Sequence, residues 1–491
     1  MTTPDLIVFV GYIIGVLGIG AIFLRKNKTA SAYILGDQSV PGWVVSLSFF
    51  ATFVSSISYL ALPGSAYQGD WSALTFSLSI PIAAVIAIYV FVPLYRRIKS
   101  PSAYTYLEQR FGLWARVYAS TMYLLTQVMR VGTILYLMAL TVHAVFNWEL
   151  ISIIVLTGGL VAVYSVVGGI QAVLWTDALQ AIVLIGGAVL TICFLLWGLP
   201  LGPEQAINIA LDNGKFELGG FHWSLSEPTF WVILIYGVFI NLQNYGIDQN
   251  YVQRYMIART EKEAKKAAFW GGMLYIPVSM MFLFIGSCLF AYYSTGVAEL
   301  PIELTGENSA DQVFPYFIVH QLPAGVTGIL IASIFAAGMS TISTSFNSAA
   351  TVILTDFVSR LSEKATTDKM KLKVLYISTL SVAGIGIMVA IAMINVKSVL
   401  DAWWKLASVF SGGMLGLFLL GVFSKKKNIL GAIIGTICGL VVILYLTIKD
   451  VFSDPDIGGV QIHTYLTIVL GTLTIFLTGF AVGMIVNKRS Q

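Results

Sequence analysis

Two full charges stand in stretches of the sequence that are otherwise apolar. Arg130 and Asp177 each interrupt a run long enough to cross a membrane. A charge at the centre of a bilayer costs about 2.5 to 3.5 kcal/mol on insertion scales, so each side chain needs a partner or a water-filled cavity. The two could form a structural salt bridge with each other. Alternatively, Asp177 helps to bind a hard cation and the planar guanidinium of Arg130 grips a carboxylate with two parallel hydrogen bonds.

A third polar feature lies on one face of a later predicted helix. Ala337, Ser340, Thr341 and Thr344 are spaced i, i+3, i+4 and i+7, so they share that face. Hydroxyl and carbonyl oxygens are the ligands that a hard cation prefers, and neutral oxygens suit Na⁺ rather than a transition metal. Small polar residues also serve as helix-packing contacts in membranes. With Asp177 as a possible partner, the pattern favours a Na⁺ site.

Two of the predicted helices are interrupted by polar residues. Hydroxyls at Ser55, Ser56 and Ser58 crowd the middle of one, and amides including Asn244 precede Gly246 in the other. Irregular backbone at bilayer depth occurs only where it lines a cavity or is buried in protein. Matching interruptions in two successive five-helix units predict an inverted-repeat transporter with its substrate near the membrane midplane. The alternative is that small residues only let the helices pack closely.

The composition requires that these helices lie in a membrane. The chain has 491 residues, of which 57% are hydrophobic and only 11% charged, and its mean hydropathy is +0.84. Soluble proteins carry about 25% charged residues. Apolar runs of the required length number about thirteen and predict α-helices rather than a barrel. We find no nucleophile motif, phosphate loop or His/Cys metal spacing, so the sequence predicts no enzyme and, with a net charge of only +4, no nucleic-acid partner.

The basic residues predict the orientation of the chain. They concentrate in alternate connections, at 25–28, 96–99, 254–266, 360–373 and 425–427. Because cytoplasmic loops carry the excess of Lys and Arg, the amino terminus is predicted outside and the carboxyl terminus in the cytoplasm. An odd number of spans agrees with this. We expect a multi-pass protein of the cytoplasmic (inner) membrane whose partners are Na⁺, a small anionic substrate and lipid. A monomer would suffice, and the sequence leaves the oligomeric state open.

Several motifs resemble those of the sodium/solute symporter family, and the resemblance spans nearly the whole chain. They are the segments 106–111, 168–177 and 248–254, with the hydroxyl-rich run at 340–345. The resemblance implies a single transmembrane domain, 1–491, with a leucine-transporter-like core of two inverted five-helix repeats. In this sequence the repeats would occupy 40–198 and 228–424. An extra amino-terminal helix would occupy 1–30, and two carboxyl-terminal helices 428–487.

The same resemblance implies two sodium sites. The site shared by the family would use the carbonyls of Ala51, Val54 and Ala337 with the hydroxyls of Ser340 and Thr341. A branch of the family that carries sialic acid has a second site, whose matching positions here are Asp177, Ser340, Ser343 and Thr344.

The resemblance also implies an anionic substrate. Arg130 matches the carboxylate-binding arginine of that branch, and the residues expected to assist it are Ser55, Ser56, Ser58 and Asn244. Phe53 and Ser77 depart from the branch, where a threonine and a glutamine are expected. The implied function is Na⁺-coupled import of sialic acid (N-acetylneuraminate) by alternating access, with two Na⁺ per substrate. It relies on an Arg130 guanidinium that no neighbouring side chain neutralises, and a protein carboxylate that locked this group permanently, turned towards lipid, would exclude it.

Other functions remain open from the sequence. The solute could be another carboxylate, a vitamin, a sugar or an inorganic anion. A membrane-embedded sensor that binds its solute without moving it is the alternative from a different class.

Overall fold

The structure, a computed structural model, describes residues 2–23, 29–146, 148–306, 310–361, 367–395, 412–424, 427–452 and 462–489. Within these ranges every regular element is a helix, so the prediction of an all-α protein is confirmed. Part of the predicted helix centred near residue 410, and part of the basic segment 425–427, lie outside the described residues.

The first part of the chain forms eleven helices. They are α1 (Thr3–Phe23), α2 (Ala30–Leu35), α3 (Gly42–Phe53), α4 (Ser56–Gln68), α5 (Leu74–Leu78), α6 (Ile80–Ile86), α7 (Val92–Ile98), α8 (Thr105–Phe111), α9 (Leu113–Phe146), α10 (Leu150–Trp197) and α11 (Pro203–Asp212). The later part continues with α12 (Phe230–Ile247), α13 (Gln249–Ile257), α14 (Glu261–Met273), α15 (Tyr275–Ser294), α16 (Ala310–His320), α17 (Val326–Val352), α18 (Ser359–Leu361), α19 (Asp368–Ala392), α20 (Gly412–Phe423), α21 (Ile429–Phe452) and α22 (Leu466–Arg489).

The predicted number of spans is not established. In the described residues, ten helical segments are long and apolar enough to cross a membrane, and the pair α3–α4, bent by 53°, makes an eleventh if it counts as one span. Two shorter apolar helices, Leu150–Val166 and Gly412–Phe423, are of 10 to 17 residues. The first belongs to α10, which divides at Gly169, where a φ of 54° suits a residue without a Cβ.

The first predicted interruption lies where the sequence places it. Helix α3 ends at Phe53 because Val54 and Ser55 adopt extended backbone. The Ser55 hydroxyl accepts a hydrogen bond from the Ser58 amide, at 3.4 Å, and so begins α4. The Phe50 carbonyl accepts from the Val54 amide at 3.3 Å. The carbonyls that follow it in α3 lie beyond the hydrogen-bond ladder of the helix, as at any helix end, and can bind another donor or a cation.

The second interruption lies further along than the sequence predicts. Helix α12 runs through Asn241, Asn244 and Gly246 without a break and ends at Ile247. Asp248 is extended, and its carboxylate accepts a hydrogen bond from the Asn250 amide at 2.8 Å. Polar amides within a helix can point sideways and leave it intact, whereas an aspartate that caps the next helix fixes the break.

Helix α17 lies at the centre of the bundle. Of its apolar window 89% is buried, more than in any other candidate span of the described ranges. It packs against α3, α4, α9, α10 and α13. The hydroxyl-bearing face predicted from its spacing is therefore turned towards protein, where small side chains permit close approach and polar ones must find partners.

Candidate functional site

A cavity of about 490 Å³ opens beside the first helix break. It brings together four of the five predicted substrate residues: Ser55, Ser58, Arg130 and Asn244. Ser56 is not among its lining residues, since its side chain is fully buried elsewhere in the protein. Aromatic side chains line much of the remaining wall, namely Phe53, Phe76, Tyr123, Tyr236, Tyr251, Tyr275 and Tyr465. The cavity therefore combines apolar contact area with a few polar groups, as small-molecule sites do.

Arg130 points into this cavity from α9. Its side chain is 20% exposed, and it shares one helical face with Tyr123, Gln127 and Ile134, which also line the cavity. The guanidinium is therefore directed towards the cavity and not towards lipid.

The expectation that no protein carboxylate lies near Arg130 is wrong. Nη1 of Arg130 is 3.8 Å from Oδ2 of Asp248. That separation brings the two charges within ion-pair range, but it is too long for a hydrogen bond. Asp248 therefore partly offsets the positive charge of the guanidinium, but it does not form a bidentate hydrogen-bonded pair with it. Because sequence spacing does not reveal which helix ends meet, only the capping role of Asp248 could have pointed to it.

The salt bridge between Arg130 and Asp177 is not formed. Asp177 pairs instead with Arg254, whose Nη2 lies 2.8 Å from Oδ2 of the carboxylate. Both side chains are almost completely buried. Arg254 is also one of the basic residues from which the orientation is predicted, but its charge is buried against Asp177 and does not lie in an exposed loop. Its spacing of four from Asn250 places it on the inner face of α13, where it donates to the Asn250 carbonyl at 2.6 Å.

Four of the five residues predicted for the shared sodium site are linked by hydrogen bonds at the first helix break. The Thr341 hydroxyl is 3.3 Å from the Val54 carbonyl and 3.2 Å from the Ala337 carbonyl. The Ser340 hydroxyl donates to the same Ala337 carbonyl at 3.0 Å. Ala51 belongs to the last turn of α3 and follows Phe50, whose carbonyl accepts from the Val54 amide that caps the helix. Carbonyl and hydroxyl oxygens so placed fit a hard monovalent cation.

The residues of the second predicted sodium site are only partly brought together. Oδ2 of Asp177 accepts from the Ser48 hydroxyl at 2.6 Å and lies 3.5 Å from the Thr344 hydroxyl. The hydroxyls of Ser340 and Ser343 bond to carbonyls of their own helix. Oδ1 of Asp177 is buried and has no hydrogen-bond partner among the described residues. This oxygen is the atom left to receive a cation, since a buried acceptor without a partner is costly.

A separate ionic cluster joins α8 and α9 to the helical residues that follow α17. Arg116 contacts Glu108 and Asp356, each at 2.6 Å, and Arg360 contacts Glu108 at 2.8 Å. Burial raises the pKa of Glu108, but hydrogen bonds from the two arginines outweigh that effect and hold the pKa below its usual value. Glu108 is therefore ionised at neutral pH. None of these residues lines the cavity.

We expect Asp356→Ala to destabilise the protein by about 3 kcal/mol, because the buried guanidinium of Arg116 loses one of its two carboxylate partners. The measurement is the thermal unfolding of the purified protein in detergent. Glu261→Ala is the matched control, since its ion pair with Lys265 is largely exposed and such pairs contribute about 0 to 1 kcal/mol. Equal melting temperatures for the two variants would contradict a structural role of the cluster.

Comparison with known proteins decides the family. The model of the Sodium:solute symporter family matches residues 33–439, which is most of the chain. The chain belongs to the sodium:solute symporter family. This symporter is therefore a multi-pass membrane transporter coupled to Na⁺ and not an enzyme, as predicted.

The similar proteins include two curated symporters and one solved structure. The symporter is 33% identical to the sodium/sialic acid symporter SiaT of Proteus mirabilis over 95% of its own chain and 94% of the relative. It is 30% identical to the sodium/sialic acid symporter NanT of Aliivibrio fischeri, with 97% and 92% covered. It also matches the substrate-bound, outward-open structure of a Na⁺-coupled sialic acid symporter, with a TM-score of 0.91, 30% identity, and 99% and 98% covered. The leucine-transporter-like fold is thereby confirmed.

Proposed function

We propose that this symporter imports N-acetylneuraminate, a sialic acid, together with Na⁺. The observation that carries the proposal is that Arg130 and the serines Ser55 and Ser58 line one cavity. A planar guanidinium suits a carboxylate, and hydroxyl and amide groups suit the hydroxyls of a sugar acid. The names of the two curated relatives and of the solved structure support the same substrate.

We propose that the coupling ion occupies the neutral oxygens at the first helix break. Its ligands would be the carbonyls of Ala51, Val54 and Ala337 with the hydroxyls of Ser340 and Thr341. Thr341 also lines the substrate cavity. A cation at this position would join α3 to α17 and would stand close to the bound anion.

A second Na⁺ at Asp177, with Ser340, Ser343 and Thr344, is also proposed. Its support is Oδ1 of Asp177, a buried oxygen for which the described part of the chain offers no hydrogen-bond partner. The positive charge of Arg254 on the other oxygen weighs against tight binding, which suits an ion that must be released.

We propose that the repeats occupy 40–198 and 228–424. The support is that each contains a helix that breaks and restarts, at Val54–Ser55 and at Asp248. In the alternating-access cycle these breaks would let half-helices move around a fixed site. The cavity reaches Ser72, Pro228 and Tyr465, which lie at the end predicted to face outside the cytoplasmic membrane.

The free energy released when two Na⁺ ions enter the cell is sufficient to accumulate the substrate inside. A tenfold Na⁺ gradient supplies about 1.4 kcal/mol per ion, and 100 mV supplies about 2.3 kcal/mol per net charge. Two Na⁺ with one monoanion carry one positive charge, so the total is about 5 kcal/mol. That free energy supports a substrate gradient of several thousandfold, on the order of 10³ to 10⁴.

The test is uptake of radiolabelled N-acetylneuraminate into liposomes that contain the purified symporter. We expect uptake with an inward Na⁺ gradient and none when K⁺ replaces Na⁺. Competition by unlabelled monocarboxylates, vitamins, neutral sugars and iodide tests the other solutes. Inward current during uptake is expected for two ions, and electroneutral uptake would contradict that stoichiometry. Stronger competition by another solute than by sialate would contradict the substrate.

A further inference from the structure

The cavity contains a negative charge as well as Arg130. Asp248 lies among its lining residues, with a side chain only 6% exposed. Its Oδ2 is the atom 3.8 Å from Nη1 of Arg130. A carboxylate in a site for an anion requires a reason, because it repels the substrate that the arginine attracts.

Asp248 is held firmly in this position. Its Oδ1 accepts from the Asn250 amide at 2.8 Å as the cap of α13. The side chain of Asn250 is in turn fixed to α9, by the Tyr123 hydroxyl at 3.0 Å and by Gln127 at 3.3 Å. Tyr123, Gln127 and Arg130 lie on one face of α9. The acid and the arginine are therefore tied to the same helix and keep their separation without a hydrogen bond between them.

We propose that Asp248 is the resident counter-anion of Arg130, which balances the charge of the empty cavity so that the symporter can return without substrate. The proposal rests on the proposed function, because it assigns the returning step of that transport cycle. A lone guanidinium carried through the membrane interior is costly, whereas a neutral pair is much less so. When substrate binds, its carboxylate becomes the main partner of Arg130, through a short hydrogen-bonded contact that Asp248 does not make.

The net charge of the cavity also explains why the binding of Na⁺ and the binding of substrate depend on each other. Arg130 and Asp248 together are neutral, so a bound monoanion leaves one negative charge in the cavity. A Na⁺ beside Thr341, which lines the same cavity, restores neutrality. Each ligand therefore raises the affinity for the other, and the coupling is reciprocal. Without Asp248 the anion alone would neutralise Arg130, and binding would depend less on Na⁺.

Asp248→Asn tests the proposal, since asparagine keeps the helix cap but removes the charge. Net Na⁺-driven uptake of N-acetylneuraminate into empty liposomes requires return of the empty symporter. Exchange against internal unlabelled N-acetylneuraminate, with Na⁺ on both sides, does not. We expect net uptake to fall by about tenfold or more, because a buried charge loses its partner. At saturating N-acetylneuraminate and Na⁺ on both sides, exchange should fall far less than net uptake, so that the ratio of net uptake to exchange drops by about tenfold.

Two further variants complete the experiment. Asp248→Ser also keeps the cap without the charge and should behave like Asp248→Asn. Glu261→Gln removes an equal charge from an exposed pair with Lys265 and should leave both assays unchanged. A parallel loss of uptake and exchange, or unchanged net uptake, would overturn the proposal. So would failure of both cap-preserving variants to fold. A wild-type protein that moves no sialate in either assay would instead overturn the proposed substrate, and this inference with it.

Discussion

Replacing Arg130 with lysine is expected to weaken N-acetylneuraminate binding by about tenfold or more, and replacing it with alanine by about a hundredfold or more. Lysine keeps the charge but loses the planar fork that makes two parallel hydrogen bonds to a carboxylate. Alanine removes both, and it leaves Asp248 in the cavity without the positive charge 3.8 Å from its carboxylate. The affinity can be measured by isothermal titration calorimetry at fixed Na⁺, with the folded state of each variant checked by size-exclusion chromatography.

Arg259→Lys is the matched control for Arg130. Its guanidinium donates to the Ser39 carbonyl at 2.7 Å in an exposed position outside the cavity. The control should change sialate affinity by less than about twofold. Wild-type affinity in folded Arg130→Ala would show that the substrate carboxylate is bound elsewhere, and the proposed function would then have lost its main support.

Removing the carboxylate of Asp177 should have the largest effect on stability. Asp177→Ala leaves Arg254 charged and buried, which costs about 3 to 5 kcal/mol. The double variant Asp177→Ala with Arg254→Met removes both charges and should recover most of that loss, because an apolar side chain can replace a buried ion pair. Thermal unfolding of the purified variants measures the difference.

The same double variant separates the two possible roles of Asp177. If Oδ1 binds the second Na⁺, the Na⁺ dependence of uptake changes from sigmoidal to hyperbolic in the double variant even though its stability is recovered. If Asp177 only neutralises Arg254, the sigmoidal dependence returns together with the stability. The second result would remove Asp177 from the ion site and would leave the first helix break as the proposed Na⁺ position.

The local sequence pattern was sufficient to predict those features of the site that depend only on residues close together along the chain. The spacing of Ala337, Ser340 and Thr341 placed these residues on one helical face, and they lie together in the structure. Clustered hydroxyls likewise located the break at Val54–Ser55. The second break was misplaced because amides in α12 mark polar contacts and not a helix end.

The sequence by itself determined that this is an all-helical membrane protein, and its motifs determined the family, because hydropathy, spacing and short motifs are local properties of the chain. Only the tertiary structure decided which buried charges meet. Asp177 lies beside Arg254, 77 positions away in sequence, and Arg130 lies beside Asp248. The packing of helices in three dimensions determines which charged side chains become neighbours. In the low-dielectric interior a buried charge is costly unless an opposite charge lies close to it, so this packing determines the ion pairs.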